Sequence, residues 1–209
     1  MGTGGEAREV QSVTTAAGEG DEHPERPLEP GDGAVIACMD AGKLEHAVKL
    51  CASQHGLSIG RLCMAMLGDQ GDAEDVVQET LLAAYSGFAS WRREGSVRAW
   101  LLGIARKKSL KRLESQQRRG ARLRAIQGGE GVDRGAEELL VLKQQAERAR
   151  SALEQIRPTE REALLLRYVG ELDFGGVAEA CETSEVTARK RVSRGLARLR
   201  ELLSTTEEP

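Results

Sequence analysis

At 209 residues the chain is long enough for one ordinary domain or two small ones. Aromatic residues make up only 3%, which excludes a single large aromatic core, and no apolar run approaches the length that crosses a bilayer. Charged residues reach 30% while the net charge is only -3, a near-neutral total that conceals a segregation of sign along the chain.

Residues 1–33 are rich in Gly, Pro and acid and lack apolar periodicity, so they read as a disordered tail. The tail is a solvated extension, a regulatory arm whose charge mimics DNA, or in part a start assigned too early. An acidic start where a secretion signal is basic and then apolar points to a cytoplasmic protein. Cys38, Cys51, Cys63 and Cys181 fall in helical patterns without paired C-x-x-C spacing, which predicts reduced, buried thiols.

From Ala34 to Arg157 there is no proline, as suits an all-α chain. Leu44, Ala47, Val48 and Cys51 make one helical stripe, Gly56 breaks it, and Ile59, Leu62, Cys63 and Met66 make the next, ended by Gly68. An acidic amphipathic helix follows, capped by Asp72 or Asp75, with Val77, Leu81, Ala84 and Phe88 inward and Asp72, Glu74, Asp75, Gln78 and Glu79 on a solvent edge. After the loop Trp91–Ser96, a helix starting near Val97 buries Val97, Trp100, Leu101 and Ile104 and carries Arg98, Arg106, Lys107, Lys108, Lys111 and Arg112 on its other face. Residues 34–115 thus read as one helical bundle.

Residues 116–135 have the composition of a basic, flexible linker. Residues 136–204 form a second helical domain, opening on a long helix with Leu139, Leu142, Ala146, Ala149, Leu153 and Ile156 along one seam. Thr159 and Glu162 have the spacing of a capping box just after Pro158, and Asp173 caps a short helix from about Phe174 to Cys181. A turn at Glu182-Thr183-Ser184 then leads into a basic helix with Ala188, Val192, Leu196, Leu199 and Leu203 inward. Two helices joined by a tight turn, the second basic and N-capped, suit the major groove of DNA.

The stretch Asp72-Ala73-Glu74-Asp75-Val76-Val77-Gln78-Glu79, followed by Arg98-Ala99-Trp100-Leu101-Leu102-Gly103-Ile104-Ala105-Arg106, closely resembles the second conserved region of extracytoplasmic-function sigma factors of bacterial RNA polymerase. Pro158 to Tyr168, Ala178-Glu179-Ala180 and Ser184 to Arg191 resemble the fourth region of the same family. The resemblance covers about Leu44 to Leu203 and implies two small helical domains, sigma-2-like and sigma-4-like, joined by the linker. It implies that Asp72, Asp75, Gln78 and Glu79 bind core polymerase at the clamp coiled coil. Arg92, Arg93, Ser96, Arg98, Trp100, Arg106, Lys107, Lys108, Lys111 and Arg112 would hold the opened minus-ten element, and Thr187, Arg189, Lys190, Ser193 and Arg194 would read the minus-thirty-five element. Core polymerase (clamp coiled coil and flap), promoter DNA and an anti-sigma factor are the implied partners, with no cofactor and no membrane insertion.

The chain departs from the family pattern at Gly175-Gly176, where good helix formers usually stand, at Glu182, where glycine usually makes the turn, and at Lys107 and Lys111, which replace a usual Asn and Asp. Each glycine costs on the order of 1 kcal/mol relative to Ala in a helix. These departures bear on promoter specificity more than on the fold. Trp91 and Trp100 are candidates for stacking on bases, but a Trp on an apolar stripe is more often core. Cys51, His55, Cys63 and His46 do not match a zinc-finger or ribbon spacing. No constellation of nucleophile, base or paired carboxylates calls for chemistry, so the chain reads as a non-enzyme. Two rival readings stay open: a stand-alone helix-turn-helix regulator, and a diverged sigma-like interaction protein.

Overall fold

The structure is a computed structural model, and it describes residues 31–93, 95–123 and 148–204. The described secondary structure is entirely helical: α1 (Asp32–Asp40), α2 (Leu44–Leu67), α3 (Gln70–Gly87), a 3₁₀ turn (Phe88–Ser90), α4 (Val97–Leu123), α5 (148–154), α6 (Pro158–Tyr168), α7 (Phe174–Ala180) and α8 (Glu185–Ser204). Most of the tail, much of the linker, and Leu139, Leu142 and Ala146 of the seam lie outside the described residues.

Helices α2, α3 and α4 pack as a bundle, with α1 lying on α2. Helix α2 is one continuous helix of 24 residues, so Gly56 does not break it. A glycine inside a helix is a cost of about 1 kcal/mol rather than a stop, and buried Cys51, His55, Ile59, Leu62 and Cys63 on both sides of Gly56 hold the helix through it. The helix ends at Gly68, whose φ of 74° suits glycine and whose N–H bonds the Met64 carbonyl at 2.9 Å.

The cap of α3 is Asp69, not Asp72 or Asp75: its Oδ1 accepts the Asp72 N–H at 2.9 Å. The inward stripe is also turned by one residue. Ala73, Val76, Thr80 and Ala84 are buried together with Phe88, while Val77 and Leu81 are only half-buried. The buried Thr80 satisfies its hydroxyl by donating to the Val76 carbonyl at 2.7 Å.

Helix α4 begins at Val97 and extends to Leu123, well into the stretch read as linker. Val97 and Leu101 are buried, but so are Ala99, Leu102, Gly103 and Ala105, whereas Trp100 and Ile104 are half-buried. The extra burial comes from α7, which packs on the far side of α4, and the buried side chains of both regions form one contiguous core. Gly103 permits this approach: a Cβ there would lie 3.3 Å from the Ala180 Cα.

In the second region, Pro158 occupies the first turn of α6, where its missing N–H costs nothing. No side chain caps this helix, so the Thr159–Glu162 box does not form; Glu162 turns inward instead. Asp173 does cap α7, accepting the Gly176 N–H at 2.7 Å. Of the seam within view, Ile156 is buried, Leu153 is half-buried and Ala149 is exposed; Ala152, which the seam leaves out, is buried. Helix α8 buries Ala188, Val192 and Gly195, leaves Leu196 and Leu199 half-buried, and exposes Leu203. Gly195 allows α8 to cross α6 closely, because a Cβ would fall 2.8 Å from Leu164 Cδ1.

Candidate functional site

The acidic edge of α3 and the basic face of α4 lie side by side. Arg112 bridges Asp75 at 2.9 Å and Asp72 at 3.3 Å, with Glu79 at 4.0 Å, and Lys108 bonds Glu79 at 3.1 Å. Gln116 also bonds Asp72. The sequence reading separates these residues into a free acidic edge and a free basic face; in the fold they neutralise one another. Gln78 stands apart from this seam, at an apolar groove of about 540 Å³ that runs between α2 and α3 and is lined by Gly60, Met64, Ala73 and Val77. Exposed Met64 belongs to a helix face that periodicity alone assigns to solvent, so nothing in the one-dimensional pattern announces the groove.

The loop between α3 and α4 rests on an aromatic cluster. Trp91 is only 9% exposed and stacks on Trp100 with ring centroids 5.3 Å apart, and Phe88 lies 5.6 Å from Trp100. Trp91 is therefore core, and the half-buried ring of the pair is Trp100. Arg92 is exposed; Arg93 adopts a left-handed φ of 61° and pairs with Asp40 of α1 at 2.5 Å. Ser96 is buried because its Oγ caps α4, accepting the Ala99 N–H at 3.1 Å. Asp32, at the start of α1, supplies a second cap: its Oδ2 accepts the Val97 N–H at 3.1 Å.

Three further cations of α4 are met by carboxylates of the second region. Arg98 pairs with Glu171 at 2.9 Å, Lys107 pairs with Glu182, and Arg106 pairs with Glu162 at 2.5 Å while its Nε donates to the Ala180 carbonyl at 3.0 Å. The Arg106–Glu162 pair is buried, with side chains 12% and 9% exposed. Glu182 sits in the turn between α7 and α8 with φ 52°, the left-handed conformation that favours glycine, and the hydrogen bond from Lys107 holds its carboxyl below the usual carboxylate range. Glu179 of α7 reaches the loop at Gly95, where a Cβ would overlap its carboxylate. Lys111 is exposed.

Helix α8 begins behind Ser184, whose Oγ accepts the Thr187 N–H at 3.3 Å and lies 2.9 Å from the Thr187 hydroxyl. Arg189 pairs with Glu185 and lies over the Phe174 ring, 4.4 Å from its centroid. Lys190, Ser193 and Arg194 are exposed on the outer side of the helix, opposite buried Ala188 and Val192. The turn from α7 to α8 thus presents a capped, basic helix outward.

Two thiols are silent. Burial pushes Cys51 and Cys63 up to about 11, and Cys63 accepts a weak hydrogen bond from Ser109 at 3.9 Å. His55, buried beside them, is pushed below its ordinary value by desolvation, with the Asp32 charge acting in the opposite direction and Arg98 reinforcing the fall. Among the described residues no helix is long and apolar enough to cross a membrane.

Residues 52–119 match the family model for Sigma-70 region 2, and residues 146–199 match that for Sigma-70 region 4. The chain is similar to the extracytoplasmic-function RNA polymerase sigma factor SigC of Mycobacterium tuberculosis, with 32% identity over 151 residues, covering 70% of this chain and 76% of the relative. Among solved structures it is similar to CnrH in complex with the cytosolic domain of CnrY, at TM-score 0.63 and 21% identity over 84% of this chain and 99% of that one. It is also similar to the sigma factor RpoE in complex with the anti-sigma factor NepR from Bartonella quintana, at TM-score 0.55 and 21% identity over 80% and 98%. At that identity the two structures speak for the fold.

Proposed function

The chain belongs to the extracytoplasmic-function sigma factors of bacterial RNA polymerase, non-enzymatic proteins of transcription initiation, and from this membership we propose how its surfaces divide that work. The observation that carries the reading is the helix-turn-helix of α7 and α8, whose capped second helix turns Lys190, Ser193 and Arg194 outward. With Thr187 and Arg189 these residues read the minus-thirty-five element in the major groove. Phe174 and Glu185 hold the Arg189 guanidinium in place for that contact.

Asp72, Asp75, Gln78 and Glu79 form the core-binding edge. A helix of the clamp coiled coil seats in the groove beside Gln78, and the acidic side chains steer it electrostatically. The second domain meets the polymerase flap. Arg92, Arg93, Arg98, Trp100 and the cations Arg106, Lys107, Lys108, Lys111 and Arg112 hold the opened minus-ten strand, while buried Ser96 serves that loop by capping α4. Because Arg106 is held by Glu162 in a buried pair, its DNA contact requires the second region to move off α4, whereas Arg98 and Lys107 need only exchange the exposed carboxylates of Glu171 and Glu182. An anti-sigma partner that covers both domains fits the same architecture.

The test is run-off transcription from a promoter library by core polymerase with and without the protein. Transcripts sharing upstream elements are expected only with it. The pair Lys190→Ala and Arg194→Ala abolishes selection of the minus-thirty-five element but leaves core binding intact. Gln78→Arg, which touches neither charge seam, weakens core binding instead. A stand-alone regulator gives the opposite result: tight, two-fold duplex binding without polymerase.

A further inference from the structure

Helix α1 lies outside both matched family regions, and the reading above assigns it no task. Its two ends nevertheless grip the two sides of the loop between α3 and α4. At its start, the fully buried Asp32 bonds the Val97 N–H at 3.1 Å; at its end, Asp40 bonds the Arg93 guanidinium at 2.5 Å. Between these contacts the chain runs through two left-handed residues, Arg93 at φ 61° and Gly95 at φ 113°. That conformation is uncommon for a non-glycine residue, and Arg93 adopts it with its guanidinium paired to Asp40.

The contact at Val97 has its own logic. The first N–H groups of a helix have no partner within it, and Ser96 satisfies only that of Ala99. Asp32 satisfies the first of them across 65 positions of sequence and places a carboxylate at the positive end of α4. A carboxylate is costly to bury unless it is bonded, so a fully buried one at this spot ties α1 to the start of α4. Gly31 lets the chain enter α1 against Gln54: its φ is 108°, and a Cβ would lie 3.0 Å from Gln54 Oε1.

We infer that α1 is a splint for the minus-ten loop, with Asp32 and Asp40 as positioning residues that set the loop's shape before DNA arrives. The inference rests on assigning that loop to the minus-ten element. Neither carboxylate touches the DNA strand: Asp32 is enclosed, and Asp40 acts through Arg93.

The test uses holoenzyme assembled from core polymerase and the full chain. Its probe is a single-stranded non-template oligonucleotide from a promoter identified by the run-off screen, carrying 2-aminopurine within the minus-ten element. Asp32→Ala is expected to weaken oligonucleotide binding roughly tenfold, because it leaves the helix-end donor unsatisfied, while Asp32→Asn, which keeps an acceptor, stays within about twofold of native. Asp40→Ala, at a side chain 56% exposed, is expected to weaken it about two- to threefold without threatening the fold. Affinity of the chain for core and for minus-thirty-five duplex stays unchanged in all three. A loss of stability alone lowers the amount of holoenzyme, not its affinity for the oligonucleotide or the 2-aminopurine signal at saturation.

Native affinity in both Asp32→Ala and Asp40→Ala overturns the splint and leaves the loop assignment standing. Should Asp32→Ala fail to assemble, Asp40→Ala decides alone. If native holoenzyme does not bind the strand, the loop assignment falls, and the splint falls with it.

Discussion

Two acid–base seams flank α4, and they differ in what surrounds them. The seam with α3 is open to water: Asp75 and Glu79 are 62% and 51% exposed, so their attraction to Arg112 and Lys108 is weakened by solvent and screened by salt. The seam with α6 and α7 is partly sealed, and its centre, Arg106–Glu162, is enclosed and braced by the Ala180 carbonyl. Residues on the first seam can exchange an intramolecular partner for water or another charged group at little cost. On the second seam Arg106 does so only if the two domains part, because an arginine left alone in that setting is a buried, unpaired charge, whereas Lys107 and Glu182, 53% and 67% exposed, are as open as the first seam.

The largest effect expected from this contrast follows from Glu162→Ala. Removing one partner of a buried pair costs about 3–5 kcal/mol, whereas replacing both, as in Arg106→Leu with Glu162→Leu, is close to neutral. Thermal melting of the full chain checks this; a single substitution as mild as the double would mean that the pair is solvated. At the open seam, Arg112→Ala is expected to cost about 1 kcal/mol or less, and the loss should fade as salt is raised. Denaturant titrations at low and high salt separate the two seams, since the Glu162→Ala penalty should persist in both.

The smallest effect belongs to His55, buried near the start of α4 and belonging to neither seam. Its folded value lies below the ordinary 6.5 because burial opposes the charge. The unfolded chain therefore takes up a proton near pH 6.5 before the folded chain does. Its contribution to stability is full above that pH and is lost as pH falls from there towards the folded value. Melting temperatures taken between about pH 7.5 and 5.5 should decline towards the acid end, and His55→Gln should flatten part of that decline. An unchanged slope would assign the acid sensitivity to other groups.

Much of the chain was legible from periodicity and punctuation. Gly68 as a stop, Asp173 as a cap, Val97 as a helix start and Ala188 with Val192 as an inward pair all follow from local rules, and all appear in the fold. The misreadings are equally local. Val76 and Val77 stand next to each other, and one-dimensional spacing does not tell which of the two faces inward. The Thr159–Glu162 spacing satisfies a capping box, but a carboxylate that reaches a buried arginine across the domain boundary is drawn away from its own helix end. Trp91, which the sequence leaves open between base stacking and core, is packed beneath its loop, stacked on Trp100, which in turn lies against Phe88.

By itself the sequence determined the all-helical architecture, the order of the two regions, the family, and the segregation of acid from base. Each depends on neighbours a few residues apart, where helical spacing and charge runs can be read directly. Only the tertiary structure decided which charges meet. It set Asp72, Asp75 and Glu79 against Arg112 and Lys108, closed Glu162 onto Arg106, and brought Asp32 to the head of α4. Pairings across tens of residues depend on how whole helices cross. That crossing is governed by small residues such as Gly103 and Gly195, whose importance comes from what lies opposite them in space.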